Sequence, residues 1–176
     1  MFTITTERAE DGPAIEALLD EAFGPSRESK VSYRYREGVA PIPSLKLVAR
    51  DADDAVIGTI RYWPVAVGHV MRQGLLLGPL AVAPEKRALG IGAALVRRTL
   101  DMAAWARHER VLLVGDLAYY KRFGFVPAAP LGIVMPGENP ARLQALALTA
   151  HGLTDVAGPV RPWRWLRQRG GELSAA

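Results

Sequence analysis

The chain contains no cysteine, which excludes disulfides, thiolate metal sites and a cysteine nucleophile. It also lacks any apolar run near the roughly 20 residues that a membrane span needs. Its start, MFTITTERAEDG, has neither the basic head nor the apolar middle of a secretory signal. A soluble cytoplasmic protein without membrane association is therefore expected. There is no surplus of acid: 22 Lys and Arg against 18 Asp and Glu give a net charge of +4, a mild attraction to anions. No repeat and no linker interrupts the 176 residues, so a single domain spanning 1–176 is expected. Residues 150–176 read as a C-terminal extension to which the sequence assigns no role. Its stretch RPWRWLRQRG, Arg161 to Gly170, interleaves arginine with tryptophan. Tryptophans packed on the body with solvated arginines outweigh a nucleic-acid patch there, so nucleic acid is not an expected partner.

What is present alternates between strand and helix patterns. Phe2 to Thr5 alternates as a first strand, and Asp11 is placed to cap a helix with Pro13 in its first turn. Ile15, Leu18, Leu19 and Ala22 then share one helical face, which Gly24-Pro25 ends. Residues 27–37 form a polar segment compatible with helix, and Gly38 to Ser44 a loop. Leu45–Arg50 and Val56–Val67 read as a hairpin around DADDA. Gly74–Val82 and Val111–Val114 are further strands, joined by a clear amphipathic helix over about 90–107. Such a strand–helix–strand unit makes its two strands parallel. A short helix over Leu117–Arg122, an extended piece from Phe125 and a strand over Leu143–Thr149 complete the order. Pro79 is a misfit: inside a central strand it cannot donate a ladder hydrogen bond. A bulge or a splay is required there, and a splay would leave backbone groups free.

The most informative stretch is LAVAPEKRALGIGAAL, Leu80 to Leu95. An apolar strand ends at Pro84, and Gly90-Ile91-Gly92 opens a helix. A helix start carries N–H groups without intrahelical partners and a partial positive charge, and glycine lets an anion approach that backbone. Lys86 and Arg87 add charge. A G-x-G pair alone is weak, since it can merely shape a turn. The dinucleotide fingerprint lacks its further glycine, with Ala94 and Leu95 following, and no Gly-Lys-Ser/Thr is present for a P-loop.

In its surroundings the stretch resembles the acetyl-CoA motif of the GNAT N-acetyltransferases. Leu80-Ala81-Val82-Ala83-Pro84 matches L-x-V-x-P, and Arg87-Ala88-Leu89-Gly90-Ile91-Gly92 matches Q/R-x-x-G-x-G/A. Downstream, YYKRFGF (Tyr119 to Phe125) is similar to the family's F-Y-x-x-x-G-F. The resemblance implies an α+β fold of three layers, α/β/α, around a mixed, mostly antiparallel sheet. A central parallel βαβ unit would be splayed to hold acetyl-CoA, which would account for Pro79. It further implies that the backbone of Leu80, Ala81 and Val82 pairs with the pantetheine arm. The N–H groups of Arg87, Ala88, Leu89, Gly90, Ile91, Gly92 and Ala93 would bind the pyrophosphate. Tyr120 takes the place of the tyrosine that acts as general acid towards the departing thiolate, while Tyr119 reads as a core aromatic.

The implied activity is acetyl transfer from acetyl-CoA, as cosubstrate, to a primary amine by direct attack. It needs no metal and no covalent enzyme intermediate. The acceptor is a small-molecule amine or a protein amino group, expected to lie against Phe23–Gly38 and a loop around Trp63–Gly74. Glu21, Glu28, Glu37, Asp116 and His69 are candidate general bases, with nothing in the sequence to choose among them. A homodimer is compatible with this reading. The competing class is a non-catalytic acyl-CoA sensor or scaffold, which the tyrosine in the second motif disfavours.

Overall fold

Period-two runs of β-branched and aliphatic residues form a long central hairpin, and the shorter elements assemble around it. The computed structural model describes residues 1–164. In chain order the elements are β1 (Thr3–Thr6), α1 (Gly12–Phe23), α2 (Val31–Arg34), β2 (Leu47–Arg50), β3 (Val56–Val67) and β4 (Arg72–Val82). There follow α3 (Ile91–Trp105), β5 (Arg110–Val114), α4 (Leu117–Tyr120), β6 (Val126–Pro127), β7 (Ile133–Val134), β8 (Leu143–Ala147), β9 (Gly158–Pro159) and β10 (Arg161–Pro162). The main sheet has the order β1-β2-β3-β4-β5-β8-β6, with β10 added beside β3. All its pairs are antiparallel except β4–β5, where Leu75 faces Val111 and Leu76 faces Leu112 in parallel. The expected βαβ unit is thus present, with α3 as its crossover.

The two faces of β3 show the layering. Tyr62, fully buried, shares a 2.9 Å hydrogen bond with Thr99 of α3. Its neighbour Arg61 points the other way and pairs with Glu16 of α1. Helices α1 and α3 therefore cover opposite faces, giving three layers. Gly58 makes close approach possible on the α3 side: a Cβ there would stand 2.9 Å from Ile91 Cγ2. A second apolar cluster, with Val65, Leu76, Leu112, Ile133 and Val160, fills the sheet under residues 128–135 and 156–160.

Pro79 produces both the bulge and the splay. Ile60 pairs with Leu80 but Tyr62 with Leu77, so Gly78 and Pro79 together oppose Arg61. Across the other edge, the β4–β5 ladder stops at Leu76 and Leu112 although β4 continues to Val82 and β5 to Val114. The joined end is tied by Arg110, whose guanidinium donates to the Gln73 and Gly152 carbonyls. The far end of β5 stays on β8 through Val114 and Leu143, and the Gly115 N–H donates to the Arg142 carbonyl at 2.9 Å. It is β4, held to β3 as far as Val82, that parts from β5.

Two local expectations are corrected. The Asp11 side chain does not cap α1. It is buried, accepting from the Arg8 N–H at 2.6 Å and from Arg50 Nη2 at 2.7 and 2.6 Å. A carboxylate this deep gains more from a buried guanidinium than from a helix N–H. Nor does a loop run from Trp63 to Gly74: β3 continues to Val67 and β4 begins at Arg72. The tight turn between them lies against the 157–159 segment, with the His69 N–H donating to Ala157 O at 2.9 Å. In the tail, Arg161 and Pro162 pair with β3, and Arg164 donates to the carbonyls of Arg34 (2.9 Å) and Glu37. Trp165 and the arginines beyond it lie outside the described residues.

Candidate active site

Where β4 leaves β5, a cavity of about 510 Å³ opens, with Leu77 to Leu80 on one side and Val114 to Asp116 on the other. A second, of about 420 Å³, continues along β4 to the start of α3. The two share Phe23, Leu80 and Tyr119 and so form one path from sheet to helix. Leu80, Ala81, Val82, Arg87, Gly90, Gly92 and Ala93 all line the second cavity. Ala88 and Leu89 sit on the exposed turn before Gly90, and the Ile91 side chain is buried in the core.

The local backbone suits an anion at this point. Residues Pro84–Leu89 form a tight 3-10 turn, and Gly90 follows in the left-handed conformation at φ 74°. The first helical bond of α3 runs from the Ala94 N–H to the Gly90 carbonyl at 3.0 Å, leaving the earlier N–H groups outside the ladder. A Cβ on Gly90 would meet nothing within 4 Å, whereas one on Gly92 would stand 3.0 Å from Tyr119 Oη. Among the described residues no acidic one lines the second cavity, and Arg122 joins Arg87 there. Arg122 had no signal in the sequence. It is positioned by stacking 4.4 Å from the Tyr119 ring centre and donating to the Tyr119 carbonyl at 2.9 Å.

The tyrosine pair differs from expectation. Tyr119 is not a core residue: it is half-buried and lines both cavities. Tyr120 lines the first cavity only and packs on the main core, edge-on to Tyr119 at 4.9 Å and to Phe125 at 5.9 Å. Gly115 makes room for it, because a Cβ there would lie 2.5 Å from the Tyr120 ring. Burial, with a smaller contribution from Tyr119, pushes the Tyr120 phenol well above its usual value. It is held protonated, as a donor must be.

The candidate bases separate by position. His69 lies in the β3–β4 turn and Glu21 on the exposed side of α1, neither lining a cavity described above. Asp116 lines the first cavity and also caps α4, its Oδ1 accepting from the Ala118 N–H at 2.9 Å. Glu28 and Glu37 line a third cavity of about 320 Å³, together with Trp63. That cavity meets the first at Tyr33, Arg36 and Pro79. Segment 23–37 therefore reaches the splay, whereas of the stretch Trp63–Gly74 only Trp63 lines one of the three cavities, the third. Among the described residues no group of His, Asp and Glu could hold a metal ion, and no helix is long and apolar enough to cross a membrane.

A mixed sheet parted beside a glycine-opened helix is the arrangement that the two sequence motifs implied, and the chain belongs to the GNAT family of acetyltransferases. The family's model, an acetyltransferase (GNAT) domain, matches residues 44–127, from the turn before β2 to β6. The chain is 36% identical to the N-acetyltransferase YhbS of Escherichia coli over 152 residues, 85% of this chain and 89% of that one. The crystal structure of E. coli YhbS in complex with CoA superposes with a TM-score of 0.79 over 96% of this chain and 93% of that one, at 32% identity. A GNAT acetyltransferase from Brucella melitensis in complex with acetyl-CoA gives 0.64 over 85% and 89%, at 30% identity.

Proposed function

We propose that the protein transfers the acetyl group of acetyl-CoA to a primary amine by direct attack, without a covalent enzyme intermediate. The observation that carries this reading is the continuous path from the β4–β5 splay to the N-terminus of α3. The residues fit acetyl-CoA. On the unpaired edge of β4, Leu80 and Val82 offer the backbone groups a pantetheine arm requires, whereas Ala81, in the hydrogen-bonded pair with Thr59, turns its N–H and C=O to β3. The start of α3, where the Ile91, Gly92 and Ala93 N–H groups precede its first helical bond, offers donors and an open glycine surface for the diphosphate, with Arg87 and Arg122 adding charge. The Arg87, Ala88 and Leu89 N–H groups lie within the 3-10 turn. Bound there, acetyl-CoA supplies a thioester carbonyl open to attack and a sulfur leaving group.

The chain's own contribution is positioning and proton supply. Tyr120 holds a proton at the mouth of the splay, and its phenol is the donor for the departing sulfur. The acceptor, a small-molecule amine or a protein amino group, enters between segment 23–37 and β4. The test is calorimetry with acetyl-CoA, then CoA release with a panel of amines. One acetyl-CoA should bind per chain and raise the melting temperature, because only the folded chain has the path. Absence of heat and of thermal shift at millimolar acetyl-CoA would overturn the reading. Binding without turnover of any amine would support a sensor instead.

A further inference from the structure

The third cavity has walls rich in charge, and almost all of that charge is spoken for. Arg27 pairs with Glu16 and, at 2.7 Å, with Asp20; Arg61 pairs with Glu7 at 2.8 Å and with Glu16. Among the cationic side chains of these walls, Arg36 is the exception. Among the described residues no carboxylate pairs with it, and its Nε and Nη1 are shut from solvent without a hydrogen-bond partner. Its guanidinium lies 4.4 Å from the Tyr33 ring centre and feels the Tyr33 hydroxyl, which favours its charged form, while Nε and Nη1 stay unpartnered. Its Nη2 stands 3.2 Å from where a Cβ on Gly78 would be, so it reaches the bulge beside the splay. Either edge of the guanidinium, Nε–Nη2 or Nη1–Nη2, therefore presents at least one free N–H. A second buried donor lines the same cavity without a partner: Trp63 Nε1.

Burial together with Arg27 and Arg61 pulls the Arg36 guanidinium down to about 10, and it remains a cation at neutral pH. Leaving such donors unmade is costly, and both groups can only donate. The missing partner is an acceptor of hydrogen bonds with negative charge. The cavity is small, and Glu16, Glu28 and Glu37 also face it. Those carboxylates disfavour a dianion such as phosphate, and a single carboxylate is the smaller anion that one guanidinium can neutralise and bind.

Resting on the acetyl-transfer reading above, we infer that Arg36, assisted by Trp63 Nε1, binds a carboxylate carried by the acceptor amine, so that the substrate class is amino acids and similar amino carboxylates. The guanidinium holds the carboxylate in the third cavity while the amine reaches past Pro79 into the splay, since Arg36 and Pro79 wall both spaces.

The test compares matched acceptors: the common amino acids, their carboxamides, and the amines left by their decarboxylation. CoA release is followed with wild type, Arg36→Gln, Arg36→Lys and Trp63→Phe, and acetyl-CoA binding to each is measured by calorimetry. For the best amino acid, wild-type kcat/KM should exceed that of its amide by at least about tenfold, the scale of a hydrogen bond to a charged group. Arg36→Gln should abolish this preference through KM, Arg36→Lys should retain part of it, and Trp63→Phe should reduce it. Equal or better turnover of amides or decarboxylated amines, or no turnover of any amino carboxylate, overturns the inference. So does a preference unchanged in Arg36→Gln. If wild type binds no acetyl-CoA, the acetyl-transfer reading fails instead, and the calorimetry distinguishes the two failures.

Discussion

Replacing Tyr120 with phenylalanine removes one oxygen and leaves the ring. The edge-on contacts with Tyr119 and Phe125 and the fit against Gly115 involve the ring alone. Among the described residues no protein group bonds the Tyr120 hydroxyl, so folding loses no hydrogen bond. The melting temperature should therefore be unchanged or slightly higher. Acetyl-CoA affinity should change by less than about 1 kcal/mol, the worth of a single hydrogen bond. The rate constant for transfer should fall by about 10²-fold, or about 2.7 kcal/mol of barrier, if the phenol protonates the leaving sulfur. The pH dependence follows from the direction of the shift. Burial raises the phenol's folded value, so wild type keeps its acid through the ordinary tyrosine range near pH 10 and should show no descending limb below it. The deficit of the variant should shrink above about pH 8.5, where a thiolate persists without a proton. Steady-state kinetics from pH 6 to 10, with binding measured separately, decides the matter. An unchanged rate constant at pH 7 would remove Tyr120 from the mechanism.

Gly92→Val should weaken acetyl-CoA binding by at least about tenfold, roughly 1.4 kcal/mol, because the new side chain covers the anion face of α3 and crowds Tyr119 Oη; calorimetry retaining full affinity would refute the anion role of this turn. Asp11→Asn should destabilise the fold by about 3 kcal/mol, since it leaves buried Arg50 with only the exposed Asp54, at 3.6 Å, as a carboxylate partner. Urea unfolding measures this loss, and a midpoint unchanged from wild type would count against the pair as a structural anchor. The Asp11 carboxyl sits below its usual value, as the Arg8 N–H and Arg50 outweigh its burial. Its stabilisation is present above the ordinary carboxylate range and is lost as pH falls through the depressed folded value, so the wild-type and Asp11→Asn stabilities should converge in acid.

The sequence carried the fold far because its strong elements are long and periodic. The strands β3 and β4 and the helix α3 each repeat their pattern over enough residues to be read alone, and Pro79 by itself marks the break in the central strand; the tight turn that joins β3 to β4 reads only as a loop. The two-residue strands β7, β9 and β10 have no room for a period and are missed, and β6 shows in the sequence only as an extended piece from Phe125. The site divided in the same way. The glycine turn announces itself locally, since every N–H it offers comes from consecutive residues. Asp11 turned from cap to ion pair because its partner lies in β2, 39 residues away. Tyr119 and Tyr120 are neighbours, and which of them opens to the path is decided by Gly115 and Phe125, off their own helix. The meeting of Arg36 with Trp63 joins two elements that no short motif spans.

Arg164 has a bearing on engineering. Its guanidinium grips the backbone of Arg34 and Glu37, immediately flanking Arg36, from a chain segment that β10 anchors on β3. The wall of the third cavity is therefore a joint product of residues 27–37 and Arg164, and it is not a transferable cassette. Chimeras that exchange only the 27–37 segment between relatives would import the side chains and lose the clasp that orients them. Acceptor preference should move between relatives only when both pieces travel together.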